Sequence, residues 1–185
     1  MASTINSSTS NGIVITPDTS GEIKLQSAGT DIATVSSSGI TMASGKGLAA
    51  TGHVLQVVNA TQNTEVATTS SSLVDTGLTA TITPSATSSK IAVFYVMPVL
   101  VQTTDIIQVA LIRGSTNILN NVRAMYAQNP SSQQILTNCI VDSPSTTSAT
   151  TYKVQFSSGG TASSVFAAMW NNESPASIIL MEVAG

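Results

Sequence analysis

Apolar residues along this chain come in strand-length runs, broken about every eight to twelve residues by clusters of Gly, Pro, Asn and Ser, and nowhere do they keep a helical period. Such a pattern, rich in Thr and β-branched residues, specifies an all-β chain, because branched side chains pack on a pleated surface and turn residues allow tight reversals. The outward positions of those strands must then be filled by hydroxyls and amides. Ser and Thr together account for 54 of the 185 residues while only 8% are charged, against about a quarter in ordinary soluble domains.

The runs fall into two groups. Between Gly12 and Leu48 they are short units opened by glycine, at Gly21-Glu-Ile-Lys-Leu-Gln, Gly29-Thr-Asp-Ile-Ala-Thr-Val and Gly39-Ile-Thr-Met-Ala. Ile23 with Leu25, Ile32 with Val35 and Ile40 with Met42 give each unit one thin apolar face. So few apolar residues cannot bury a core in a lone chain. Three chains arranged about a common axis solve that problem, since each face then meets its own copies. The expectation is a trimeric shaft of short strands over residues 12–48, preceded by a polar arm at 1–11 that orders against a partner.

The glycine-rich stretch Ala43–Gly52 separates these units from a longer region of stronger strands at 49–185. There the expected strands are His53–Ala60, Leu73–Thr83, Lys90–Val101, Ile106–Arg113, Thr116–Val122, Gln134–Val141, Thr150–Phe156, Ser163–Trp170 and Ser177–Val183. Gly114-Ser115 reads as a two-residue type II′ hairpin turn, and Ser157-Ser-Gly-Gly-Thr161 as a second hairpin. Pro98, lying inside the apolar run Ile91–Val101, should mark an edge or a bulge. The run Ile178–Met181 does not alternate, so both its faces should be covered, the second by a neighbouring subunit. Eight or nine strands of this size make a jelly-roll-like β-sandwich head.

Chemistry finds little to work with. The chain has one His and one Cys, and no Gly-x-Ser-x-Gly elbow surrounds any serine. Asp75, Asp105, Asp142 and Glu173 could supply a carboxylate pair, yet each sits near a predicted turn or strand end, where acids commonly bind backbone amides. His53 could meet its copies on a threefold axis, but it reads better as a solvated residue at the domain boundary. Cys139 reads as a small buried apolar residue. The expectation is therefore no catalysis, no cofactor and no metal. A formal net charge of −3 without a basic cluster argues against a nucleic-acid partner, and an eleven-residue apolar run is too short to insert in a membrane as a helix. An N-terminus without an apolar export segment points to assembly in a cytoplasm. The residues most suited to a sugar are Tyr126 with Gln128 and Asn129, and Trp170 with Asn171 and Asn172, since rings beside amides complement polyhydroxyl surfaces.

Three groups of segments together resemble phage virion fibres. They are Met1-Ala-Ser-Thr-Ile-Asn-Ser-Ser-Thr with Gly21–Val35, Gly52–Val58 with Leu73–Ile91, and Leu111–Thr116 with Val141–Gln155 and Ile178–Gly185. The likeness is to small tail-fibre-like proteins of marine and cyanobacterial phages. It implies a homotrimer assembled in the host bacterial cytoplasm, docked on other virion proteins through its N-terminal arm, with a sandwich head turned toward host surface glycans. A long shaft is missing, which leaves a short spike or a capsid head fibre or decoration (cement) protein as alternatives. A free carbohydrate-binding jelly-roll module is the rival of a different class.

Overall fold

The computed structural model describes residues 19–44, 47, 51–129, 131–159, 165–167 and 174–185, and every regular element in them is a β-strand. The expected arm at 1–11 and residues 12–18 of the expected shaft lie outside the described residues. Two compact units are present, Met1–Ala49 and Ala50–Gly185.

In the first unit, β1 (Ile23–Ser27), β2 (Thr30–Ser36) and β3 (Gly39–Met42) form an antiparallel sheet in chain order. Ala28 and Gly29, with φ of 49° and 75°, close the first hairpin between the paired residues Ser27 and Thr30. Positive φ at both central positions is the type I′ geometry that matches strand twist. Register aligns Ile23 with Val35 and Val35 with Ile40, and likewise Leu25 with Ala33 and Ala33 with Met42. Alternation therefore puts these six apolar residues on one face and Lys24, Thr34 and Thr41 on the other. Ile32 does not share the apolar face as expected. It falls at a register shift, where β2 carries one residue more than β1, and Ala33 takes its place. Of the whole sheet only Ala33 is buried, while Leu25 is 49% and Ile40 70% exposed.

Among the described residues the second unit holds ten strands, β4 (Val54–Gln62), β5 (Val66–Thr68), β6 (Val74–Ile82), β7 (Lys90–Val101), β8 (Asp105–Arg113), β9 (Thr116–Ala127), β10 (Ser132–Asp142), β11 (Thr150–Ser158), β12 (Val165–Ala167) and β13 (Ala176–Val183). One sheet runs β4-β13-β7, with β10 on the far edge of β7; the other runs β6-β11-β8-β9. Setting aside the three-residue strands β5 and β12, the remaining eight are ordered 1-8-3-6 and 2-7-4-5, all antiparallel. That interleaving of two sheets is a jelly roll. Its core lies between them, where Ile91, Val93, Tyr95 and Met97 of β7 meet Tyr152, Val154 and Phe156 of β11. Each such side chain contributes about 1.5–3 kcal/mol by leaving water.

Several sequence expectations change here. Gly114 is the only one of the two turn residues with positive φ, at 56°, between the paired Arg113 and Thr116, which is the expected type II′ turn. Residues 160 and 161 of the expected second hairpin lie outside the described residues, and β11 and β12 are not paired with each other. β11 already has β6 and β8 on its two edges, so β12 crosses to the other sheet and pairs with β7 and β5. Pro98 marks neither an outer strand nor a bulge, because the β7–β10 register runs unbroken through it. On the opposite edge of β7, however, pairing to β13 stops at Val96 and pairing to β12 begins at Val99. The proline thus lies opposite a break in the ladder, where no N–H is required of it. The last strand does alternate. Ile178, Leu180 and Glu182 are fully buried, whereas Ile179 remains 38% exposed. Cys139 is exposed, because residues of its parity in β10 point away from the core that takes Leu136.

Gly159 begins the crossover, its N–H bonded to the Ile106 carbonyl at 2.7 Å. A Cβ there would lie 2.5 Å from the Ile106 Cβ and 3.2 Å from Asp105 Oδ1. Gly159→Ala should therefore lower stability by about 1–3 kcal/mol through overpacking, read as a fall in melting temperature at fixed protein concentration. An unchanged melting temperature would show that the crossover yields freely.

Candidate interaction site

At one end of the sandwich the β9–β10 turn presents the sequence-expected contact residues. β9 ends on Ala127, which is 2% exposed and pairs with the equally buried Asp105. Alternation then turns Tyr126 outward, 60% exposed, opposite Ile106. The turn is held by side chains bonded to its carbonyls, Thr104 Oγ1 to Gln128 O at 3.1 Å and Ser132 Oγ to Asn129 O at 2.7 Å. The Ser131 N–H reaches Gln102 O at 3.2 Å. Beneath it, Asp105 accepts from Ser158 Oγ at 2.6 Å and from the Ile106 N–H at 2.7 Å. The structure thus brings Tyr126, Gln128 and Asn129 together as an uncharged surface of one ring and two exposed amides on a pinned loop. Trp170, Asn171 and Asn172 lie outside the described residues.

The acids singled out in the sequence are engaged structurally. Asp75 bonds Lys153 Nζ and Gln155 Nε2, and the Lys153 bond, outweighing partial burial, holds its carboxyl below the usual range. Asp142 accepts Arg113 Nη1 on both oxygens, at 2.8 and 2.7 Å, and the Tyr152 hydroxyl at 2.6 Å. Burial first, and the neighbouring Asp142 second, push the Tyr152 hydroxyl well above its ordinary value. Glu173 lies outside the described residues. His53 is an exposed residue whose carbonyl accepts the Ala184 N–H at the start of β4. Among the described residues no group of three or more His, Cys, Asp or Glu converges as metal ligands would.

Glu182 carries the tightest polar cluster, and sequence reasoning missed it. It is fully buried without a cation, accepting the Ser85 N–H and hydroxyl at 2.7 and 2.6 Å, the Ser89 hydroxyl at 2.7 Å and Gln56 Nε2 at 2.6 Å. Burial raises its pKa, but these hydrogen bonds to the charged form outweigh burial and bring it down to about 2. The signal was its parity with Ile178 and Leu180, which puts an acid on the inward face of the last strand. All its partners are neutral donors, so the cluster anchors the Ser85–Ser89 loop to β13 and β4.

A shallow cleft of about 410 Å³ opens where β12 and β13 part, lined by Pro98, Val99, Gln133, Gln134, Ile135 and Ser174. No lining residue is ionisable.

No family model matches the chain, and no curated protein matches it. Among solved structures it is similar to infectious bursal disease virus, Gx strain, at 11% identity and a TM-score of 0.40 over 89% of this chain and 42% of that one. The Gt strain gives 11% identity and a TM-score of 0.33 over 88% of this chain and 43% of that one. This chain therefore spans less than half the length of either viral chain.

Proposed function

We propose that the chain is a structural component of a phage virion, without catalytic function: a homotrimeric tail fibre or spike assembled in the bacterial cytoplasm. Residues 1–11 dock on other virion proteins, 12–48 form the shaft, and the jelly-roll head at 49–185 faces the host surface. The observation that carries this reading is the first unit's sheet, whose six apolar residues share one face with Leu25 49% and Ile40 70% exposed. A sheet with that face open to water gains little from removing apolar surface from solvent, and copies about an axis would close it. The sequence resemblance supports the virion setting, and the Ser- and Thr-rich surface supports display, since short side chains lose little rotamer freedom on ordering.

Antibodies raised against the head and imaged on intact particles test the setting. Label at the tail is expected. Label spread over the capsid overturns the tail assignment in favour of a decoration protein, and a particle without label leaves a free carbohydrate-binding module.

For the host contact, purified full-length chain should compete with particle adsorption to cells. Tyr126→Ala should weaken that competition about fivefold per site, the loss of one aromatic contact, while stability stays within about 0.5 kcal/mol because the ring is on the surface. Undiminished competition would remove Tyr126 from the contact.

A further inference from the structure

We infer that the outer face of the β4-β13-β7-β10 sheet is the surface on which the head meets other copies of this chain. The inference rests on the homotrimer reading and names the head's share of the interface.

Strand alternation sends Ile91, Val93, Tyr95 and Met97 into the core, so Ala92, Phe94 and Val96 of β7 face outward. Register sets each of them in a row across four strands. One row is Val57, Met181, Ala92 and Val141. The next is Asn59, Ile179, Phe94 and Cys139, and the third is Thr61, Ser177, Val96 and Thr137. None of these twelve residues is charged. Ile135, opposite Pro98, extends the apolar surface toward the far end of β10.

The face is open in the single chain, with Phe94 37% and Val96 40% exposed. The opposite sheet differs. Its outer positions include Asp75 bonded to Lys153 and Gln155, Thr79 bonded to the Tyr152 carbonyl and Thr81 bonded to the Thr151 hydroxyl. One side of the sandwich thus carries charge, and the three rows on the other do not.

Charge and size point to another copy as the occupant. The chain carries a net −3, and a shared surface free of charge keeps the like charges of two copies apart, where solvent and salt screen them. Lys90, at its end, is turned to Ser143 Oγ at 2.8 Å. Four strands about 4.8 Å apart, over the five residues from Ala92 to Val96, span roughly 300 Å². That is within the about 300–600 Å² that monomers expose as one patch, and the rest of the roughly 800 Å² a stable interface takes from each partner would come from the surface around it. Three such faces turned toward one axis would bury Phe94 and Ile179 against their equivalents.

Cys139, the chain's one cysteine, sits in the Phe94 row and reports on the face without any substitution. Full-length protein is reacted with a small maleimide while its mass is followed by light scattering. The inference expects a trimer in which Cys139 labels at least about tenfold more slowly than in urea-unfolded chain, as protected groups react only through opening. Phe94→Lys, and Val141→Lys at a more exposed position, should each lower the mass and restore fast labelling while keeping the far-UV β signature. A trimer whose Cys139 labels at the unfolded rate overturns this face and leaves the fibre reading intact. A monomer with fast labelling overturns both.

Discussion

Replacing Glu182 by alanine should destabilise the jelly roll by about 3–4 kcal/mol. The substitution strips the shared acceptor from the Ser85 N–H, the Ser85 and Ser89 hydroxyls and Gln56 Nε2, and a buried donor left unsatisfied costs about 1–3 kcal/mol. Ser85 and Gln56 can recover part of this from water, so the loss is smaller than the sum. Thermal melts at fixed protein concentration and pH 7 measure it, and a loss below about 1 kcal/mol would mean that water replaces the carboxylate. The same residue sets an acid limit. Its folded pKa, about 2, lies below its ordinary 4.5. Its contribution is therefore complete above pH 4.5 and fades as pH falls toward 2. Glu182→Gln should be less stable than wild type at pH 7, and the gap should close across that window. A gap that stays constant down to pH 2 would contradict the carboxylate's role as the charged acceptor.

Asp142→Ala should cost about 2–4 kcal/mol, below the full range for breaking a buried ion pair because this one is partly buried. Asp142 closes β10, in one sheet, and grips Arg113 of β8 and Tyr152 of β11, in the other. Removing it leaves a guanidinium with 23% side-chain exposure unpaired and a buried phenol without its acceptor. Asp142→Asn keeps an acceptor for Tyr152 and should lose less. Adding Arg113→Met to Asp142→Ala should recover stability, because the unpaired charge is then gone. Chemical denaturation of wild type, Asp142→Ala, Arg113→Met and the double variant makes a double-mutant cycle, and purely additive losses would show that the two residues act independently.

How much of this was legible in the sequence depends on parity. Val74–Ile82 alternates cleanly, and its buried residues are Leu78, Ala80 and Ile82 with Thr76 at the same parity. Lys90–Val101 was bounded correctly because Thr87-Ser-Ser89 interrupts it on the near side and Gln102-Thr-Thr104 on the far side. Where both parities are apolar, alternation is erased. Nothing local in the apolar runs of β7 and β13 separates the inward Tyr95 and Ile178 from the outward Phe94 and Ile179. Cys139 was misplaced for the same reason, a small residue whose face only register decides. Ile32 was misplaced by a bulge. The crossing of β12 to the second sheet depends on which edges of β11 are already taken, a nonlocal fact. Arg113 and Asp142 are 29 residues apart, and Glu182 and Ser85 are 97, so neither cluster has a local motif. The Tyr126 turn, by contrast, was readable from polar residues flanking a ring.

The central claim is that this chain works as copies of itself. The solution mass of the full-length protein across a wide concentration range tests it most directly. Three times the 18.9 kDa chain mass is the predicted result, independent of dilution over the working range. A mass of 18.9 kDa at every concentration would contradict it, because both exposed apolar faces would then stand open to water in the functional protein.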